Sequence, residues 1–181
     1  MAFASRRRIK PSNAYRLWQR RLSKAEAPWW MSSSRSVVRK QSARMSRPRV
    51  TSVADPILDA SAVLAFIFGE PGAERVAAFL PGARISAINA AEVMSKLADL
   101  GMPEDTLDAI MEDLQLAVLP FDMAHARDSA RLRPLTRGQG ISAGDRGCLA
   151  VARSLGTSVL TTDRAWARLD AAVGVTVELV R

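Results

Sequence analysis

From Pro56 onward, short apolar runs alternate with longer stretches whose apolar residues recur every three or four positions. Ile57-Leu58 and its neighbours read as a brief strand ending at Asp59. Val63–Phe68 and Ala73–Leu80 read as helices, separated by the turn Gly69-Glu70-Pro71-Gly72. Arg84–Ile88 fits a second strand, and a helix is expected from about Ala90 to Leu100, with Gly101 as its stop. Pro103 opens another helix, with Leu107, Ile110, Met111 and Leu114 on one face. Ala117–Leu119 makes a third strand, Met123–Leu132 a helix, and Arg137-Gly138-Gln139-Gly140 a loop. A helix over Ala143–Leu155, a strand over Ser158–Thr161, a short helix over Arg164–Leu169 and a last strand over Val175–Leu179 complete the pattern.

Strands alternating with helices indicate βαβ units and a parallel sheet. Apolar strand segments fit a sheet covered on both faces. The expected fold is therefore α/β: a three-layer α/β/α sandwich on a mostly parallel sheet of four or five strands, over residues 55–181. In open sheets of this kind ligands bind outside the carboxyl ends of the strands.

Residues 1–54 follow a different pattern. The first 50 residues hold 14 Lys and Arg against one acid, Glu26, whereas residues 51–181 hold 12 Lys and Arg against 17 Asp and Glu. The net charge of +8 is thus the sum of a strongly basic extension and a mildly acidic domain. The extension is rich in Arg and Ser, which buries too little apolar surface to offset chain entropy, so disorder is the expectation. Tyr15, Trp18 and Leu22 lie at helical spacing within 13–25, and Trp29-Trp30 stands among arginines. Three readings stay open: nucleic-acid binding through phosphate neutralisation, a transit-like segment, or translation that begins internally, for instance at Met45.

Composition narrows the chemistry. One cysteine, Cys148, and one histidine, His125, leave no basis for a multi-cysteine zinc site and little for imidazole catalysis. No apolar run reaches the roughly 18 residues of a membrane-spanning helix. There is no GxxxxGK phosphate loop, which disfavours nucleoside triphosphate hydrolysis.

What remains is a set of acids near strand ends. Asp59 ends the first strand, Glu92 falls in the first turn of the helix after the second, Asp145 opens the helix at 143–155, and Asp163 follows the fourth strand. Each has a local explanation. Asp59 and Asp163 suit helix N-caps. Asn89 with Glu92, and Ser142 with Asp145, suit capping boxes. Yet four acids delivered to one edge of a parallel sheet repel one another unless they share a cation. Oxygen ligands without Cys or His suit Mg2+ or Mn2+ rather than zinc. Such an ion serves phosphodiester hydrolysis, which leaves a metal-dependent nuclease or a phosphatase. A phosphatase would usually want a nucleophilic Asp-x-Asp pair, and here the first acid reads Asp59-Ala60-Ser61. A third reading is a catalytically silent nucleic-acid-binding protein that uses the basic extension.

Four blocks, in order, resemble the motifs of PIN-domain nucleases, and most closely the VapC toxin branch of toxin–antitoxin systems. They are Leu58-Asp59-Ala60-Ser61-Ala62, Asn89-Ala90-Ala91-Glu92-Val93, Gly144-Asp145-Arg146-Gly147-Cys148-Leu149-Ala150 and Leu160-Thr161-Thr162-Asp163-Arg164-Ala165-Trp166. The resemblance covers about residues 56–181; residues 1–54 have no counterpart in such compact toxins. It implies a cytoplasmic, Mg2+- or Mn2+-dependent endoribonuclease acting on tRNA or other structured RNA, a VapB-type antitoxin partner and a homodimer. By position it makes Asp59, Glu92, Asp145 and Asp163 the metal-binding acids, with Ser61 and Asn89 assisting by hydrogen bonds and Thr161 orienting Asp163.

Arg146 and Arg164 directly follow two of these acids and are candidates for RNA phosphate contacts, with Arg133 and Arg137 on the rim. Cys148 shares a helical face with Leu149 and Ala152 and reads as core. His125 reads as a surface or core histidine, and Trp166 as a packing anchor. The apolar stretches at 63–68 and 79–80 suit the core or a dimer interface.

Overall fold

The computed structural model describes residues 55–169 and 171–181. The features expected of residues 1–54 (disorder, the 13–25 helix, the Trp29-Trp30 pair, the Met45 start) lie outside the described residues.

Five short strands, β1 (Ile57–Leu58), β2 (Arg84–Ser86), β3 (Ala117–Leu119), β4 (Val159–Thr161) and β5 (Val177–Leu179), form one sheet in the order β3-β2-β1-β4-β5. Every neighbouring pair is parallel. Helices α1 (Ala60–Phe68) and α2 (Ala73–Phe79) connect β1 to β2, and α3 (Ala87–Asp99) and α4 (Glu104–Leu114) connect β2 to β3. Helices α5 (Met123–Thr136) and α6 (Ala143–Leu155) lead to β4, and two 3-10 helices, Arg164–Arg168 and Ala171–Val173, lead to β5. This is the expected α/β architecture, with five strands.

Two apolar clusters cover the two faces of the sheet. One joins Leu58, Ile85 and Leu160 to Val63, Phe66, Val76, Val93, Leu97, Leu107 and Ile110 of α1 to α4. The other joins Ile57 and Val159 to Leu132 of α5, Leu149 and Val151 of α6, and Trp166. Cys148 is buried in this second cluster, as expected, and Trp166, 1% exposed, anchors its 3-10 helix. Phe68, Phe79 and Leu80 pack partly buried against the first cluster. The connections reverse direction at β1: β2 and β3 lie to one side, β4 and β5 to the other. That reversal opens a crevice between the carboxyl ends of β1 and β4, the place where such sheets bind ligands.

Several element boundaries differ from expectation. Helix α1 begins at Ala60 rather than Val63, directly after its Asp59 cap, β5 begins at Val177 rather than Val175, and the 3-10 helix Ala171–Val173 was not expected. Two further differences have a clear local cause. The second strand stops at Ser86, whose Oγ accepts from the Asn89 backbone N–H and starts α3 at Ala87. The cap is therefore Ser86 rather than Asn89, and Glu92 lies in the second turn, not the first. Helix α5 runs on past Leu132 and through Pro134 to Thr136, where the Thr136 hydroxyl donates to the Leu132 carbonyl and fastens the final turn. Pro134 forfeits the one backbone hydrogen bond that would reach the Ala130 carbonyl, and the helix ends two residues later. Gly72, at φ 102°, permits a close approach: a Cβ there would sit 2.6 Å from the Val180 carbonyl oxygen.

Candidate active site

Asp59 leaves β1 directly into the first turn of α1. It is 3% exposed, and its carboxylate receives four hydrogen bonds. Oδ2 accepts from the Ser61 hydroxyl at 2.7 Å, the Ser61 backbone N–H at 3.2 Å and the Thr161 hydroxyl at 3.0 Å. Oδ1 accepts from Asn89 Nδ2 at 3.1 Å. The Asn89 amide is itself oriented, because the Ser86 hydroxyl donates to its Oδ1. Burial pushes the Asp59 carboxyl up to about 6 against the lowering pull of the Ser61 bond, and the nearby Asp145 charge adds to the rise.

Thr161, the last residue of β4, ties Asp59 to Asp163. Its Oγ1 donates to Asp59 and accepts from the Asp163 backbone N–H at 3.0 Å. The Ser61 hydroxyl lies 3.0 Å from it and accepts from the Thr162 N–H at 3.1 Å. The Asp163 carboxylate caps the following 3-10 helix through the Ala165 N–H at 2.8 Å.

Asp145 and Ser142 form a reciprocal capping box at the start of α6. The Ser142 Oγ accepts from the Asp145 N–H at 3.1 Å, and the Asp145 Oδ2 accepts from the Ser142 N–H at 2.6 Å. Glu92 reaches the same place from α3: a Cβ added to Gly144 would lie 3.1 Å from its Oε2. Partial burial raises the Glu92 carboxyl, the Asp145 charge raises it further, and Lys96 opposes both. Capping and clustering are thus compatible here. Asp59, Asp145 and Asp163 each cap a helix and still bring a carboxylate to the sheet edge.

Asp145 is coupled electrostatically to both Asp59 and Glu92, and burial, with the charges of all three acids, pushes up the Cys148 thiol. Asp163 joins through Thr161. Among the described residues none of the four acids forms an ion pair with Arg or Lys. Among the described residues, too, no three Asp, Glu, His or Cys side chains surround one ion-sized point. Mg2+ usually takes one or two protein carboxylates and keeps several waters. An oxygen-only set with no cation of its own, one member buried, fits such an ion.

The neighbouring basic residues divide. The Arg146 guanidinium is half-buried and donates to the Ile141 carbonyl at 3.2 Å, which ties it to the loop before α6. Arg164, Arg133 and Arg137 are exposed. His125 completes a capping box with Asp122 at the start of α5 and meets the Ser154 hydroxyl at 3.1 Å through Nε2, a structural role. Three residues near the site escaped the sequence pattern: Ser86, which fixes Asn89; Gly144, which leaves room for Glu92; and Arg181, whose Nε donates to the Thr162 carbonyl at 2.8 Å. Only Ser86 had a local signal, a cap residue three before the amide it holds.

Among the described residues no helix is long and apolar enough to cross a membrane. No curated protein matches the chain. Among solved structures it is similar to a FitAB complex bound to the IR36 DNA fragment, with 25% identity, 68% of this chain, 93% of that one and a TM-score of 0.50. It is similar in fold to DNA-bound VapBC from Salmonella typhimurium (20% identity, 71% and 100% covered, TM-score 0.56). A toxin–antitoxin complex from Klebsiella pneumoniae is likewise similar in fold (19% identity, 70% and 98% covered, TM-score 0.54). The model of the PIN domain matches residues 57–172, a span that includes all four acids. The chain belongs to the PIN-domain family.

Proposed function

We propose that residues 55–181 form a divalent-metal-dependent endoribonuclease that acts as the toxin of a toxin–antitoxin pair, with residues 1–54 as a basic extension. The observation that carries this reading is the carboxylate set itself. Asp59 is buried with four hydrogen-bond donors and, among the described residues, no Lys or Arg partner, and it lies within electrostatic range of Asp145, which is in turn coupled to Glu92. PIN-domain membership supplies the nuclease class, and the complexes of similar structures supply the antitoxin partner. Tethering such an enzyme to an inhibitor in a cytoplasmic complex, and its pairing into homodimers, belong to the same reading.

Asp59, Glu92, Asp145 and Asp163 would hold Mg2+ or Mn2+, one or two of them directly and the others through the ion's waters. When bound, such an ion lowers the pKa of a water that attacks the RNA phosphodiester and stabilises the departing oxygen. The chain's own contribution is geometry. Ser61 and Thr161 bond Oδ2 of Asp59 and Asn89 bonds Oδ1, which holds the carboxylate in one orientation and leaves Oδ1 with acceptor capacity to spare. The Ser142 capping box does the same for Asp145, and Thr161 passes the position of Asp59 on to Asp163. Preorganised groups of this kind need no rearrangement as charge develops on the reacting phosphate.

The test is incubation of the purified chain, free of any co-purified inhibitor, with total RNA in Mg2+ or Mn2+. Discrete fragments that disappear with EDTA and in Asp163→Asn are expected. A folded protein that leaves RNA intact with either metal would overturn the nuclease and leave the nucleic-acid-binding reading in its place.

A further inference from the structure

The charge of the domain is segregated along the chain. Residues 97–122, which include α4, carry seven acids and no Lys or Arg. Residues 123–169 carry eight arginines against three acids, two of which are Asp145 and Asp163 of the site. The fold keeps these segments apart. Helix α4 packs on one face of the sheet, and α5 with the 3-10 helix at 164–168 on the other.

We propose that the arginine-bearing band formed by α5, the loop after it and the first 3-10 helix is the surface along which RNA approaches the carboxylates. This rests on the nuclease reading above. Arg127, Arg131, Arg133 and Arg137 are all exposed, Arg127 and Arg131 on one side of α5 and Arg133 on the other near its carboxyl end, while Ser129, Leu132 and Thr136 face the core. Arg127 and Arg131, four residues apart, share one face of α5 with their Cβ atoms about 6 Å apart, and Arg133 stands in its last turn, while Arg137 is the C-cap, in extended backbone, where the chain leaves the helix for the loop. The band then crosses to the 3-10 helix. A Cβ on Gly140 would lie 3.7 Å from the Ala165 methyl, so the loop abuts the segment that carries the exposed Arg164 and Arg168. Arg164 is the residue next to Asp163, and there the band meets the site.

Among the described residues no ion pair neutralises Arg127, Arg131, Arg133, Arg137 or Arg164, whereas Arg153 is paired with Asp128 at 3.5 Å. The platform is firm. Trp166 is fully packed beneath the 3-10 helix, and the Thr136 hydroxyl closes the end of α5. A guanidinium matches a phosphate bidentately and keeps its charge at any working pH. A domain with more acids than bases repels RNA at long range, so the local excess of arginines decides where a polyanion can land. The α4 side, with its run of acids, excludes it. An acidic protein partner would suit exposed arginines equally well, but it gives no reason for the band to end at Asp163.

The test uses the full chain in three forms besides the parent: Arg133→Gln/Arg137→Gln, Arg133→Lys/Arg137→Lys, and Asp105→Asn/Asp108→Asn on α4. Binding to fluorescein-labelled poly(U) is measured against salt in EDTA, and cleavage of total RNA in Mg2+ or Mn2+. The basic extension contributes equally to all forms, so differences isolate the band. Each lost phosphate contact removes about 0.7 from the slope of log affinity against log salt on a single strand. The Gln pair is expected to reduce the slope by about 1.4 and to raise the KM of cleavage with kcat little changed. The Lys pair should keep the slope, and the α4 pair should match the parent. An unchanged slope and KM in the Gln pair, with cleavage by the parent intact, overturns the band alone. A parent that binds through the band but never cleaves overturns the nuclease reading and leaves the band as an RNA surface.

Discussion

The two halves of the acidic edge are built differently, although both end in carboxylates. On the β1–β4 side, Asp59 is sealed from water and held by four donors, and Thr161 links it to Asp163. On the α3–α6 side, Glu92 and Asp145 are half-exposed. One comes from the second turn of a helix and the other from a capping box, and no hydrogen bond joins them. The first half is a rigid anchor whose charge is costly; the second is a looser pair whose spacing depends on packing between two helices. Position on the β1–β4 side is set by hydrogen bonds, and on the α3–α6 side by the absence of a side chain at Gly144.

The sharpest way to break the comparison is to remove charge from the anchored half. Asp59→Asn or Asp163→Asn should cut RNA hydrolysis roughly a thousandfold, the equivalent of about 4 kcal/mol of transition-state charge stabilisation. The folded structure, followed by circular dichroism, should persist. Either variant cutting RNA at the parent rate would remove that residue from the site.

The next effect is on stability. The folded Asp59 carboxyl titrates near 6, above its ordinary 3.8, so the native state holds its proton more tightly than the unfolded chain. The advantage is complete below about pH 4 and is lost as pH rises through about 6, amounting to roughly 3 kcal/mol. Denaturant unfolding in EDTA should therefore show stability falling over that window, and falling less in Asp59→Asn. Glu92, also raised, leaves a residual slope of the same sign. Mg2+ should restore part of the loss at neutral pH. Equal pH dependence in parent and variant would mean that Asp59 is not the group responsible.

Within the anchored half, Thr161→Val removes one donor to Asp59 and leaves the Asp163 N–H without its acceptor, a cost of about 1–3 kcal/mol. Thr161→Ser retains both bonds and should recover most of the stability and activity. If Val and Ser behave alike, the hydroxyl is not what couples the two acids.

Much of this was legible from the chain because its signals are local. Ala117–Leu119 and Ala143–Leu155 have the expected limits, since a short apolar run and a Ser-x-x-Asp box before a periodic segment need no distant partner. The start of α3 was misplaced because Ile85, Ala87 and Ile88 extend an apolar run through a serine that caps. The end of α5 was misplaced because proline reads as a stop, and the Thr136 hydroxyl that secures the last turn is a tertiary detail of that helix. At the site, the identities of the acids were visible, but their inequality was not. Burial of Asp59 under β4 and exposure of Asp145 depend on strand order, and Glu92 finds Gly144 only after α3 and α6 have been brought together by the sheet.

Gly144 is accordingly the finest probe of the looser half. It lies in the first turn of α6, outside the left-handed region, so alanine fits the backbone, and a helix generally gains about 0.5–1 kcal/mol when glycine is replaced by alanine. The added methyl, however, would stand 3.1 Å from Glu92 Oε2 and must push that carboxylate aside. Gly144→Ala should thus raise the melting temperature while weakening activation by Mg2+ by about tenfold, roughly 1.4 kcal/mol. Loss of fold and loss of activity would move together if the glycine were merely structural; here they move in opposite directions. Shortening the acid, Glu92→Asp, is harmful in the parent because it withdraws the carboxylate, but in the Gly144→Ala background it relieves the contact. The two changes should therefore be less than additive in a double-mutant cycle read by the metal concentration for half-maximal cleavage. Strict additivity would show that Gly144 does not set the position of Glu92.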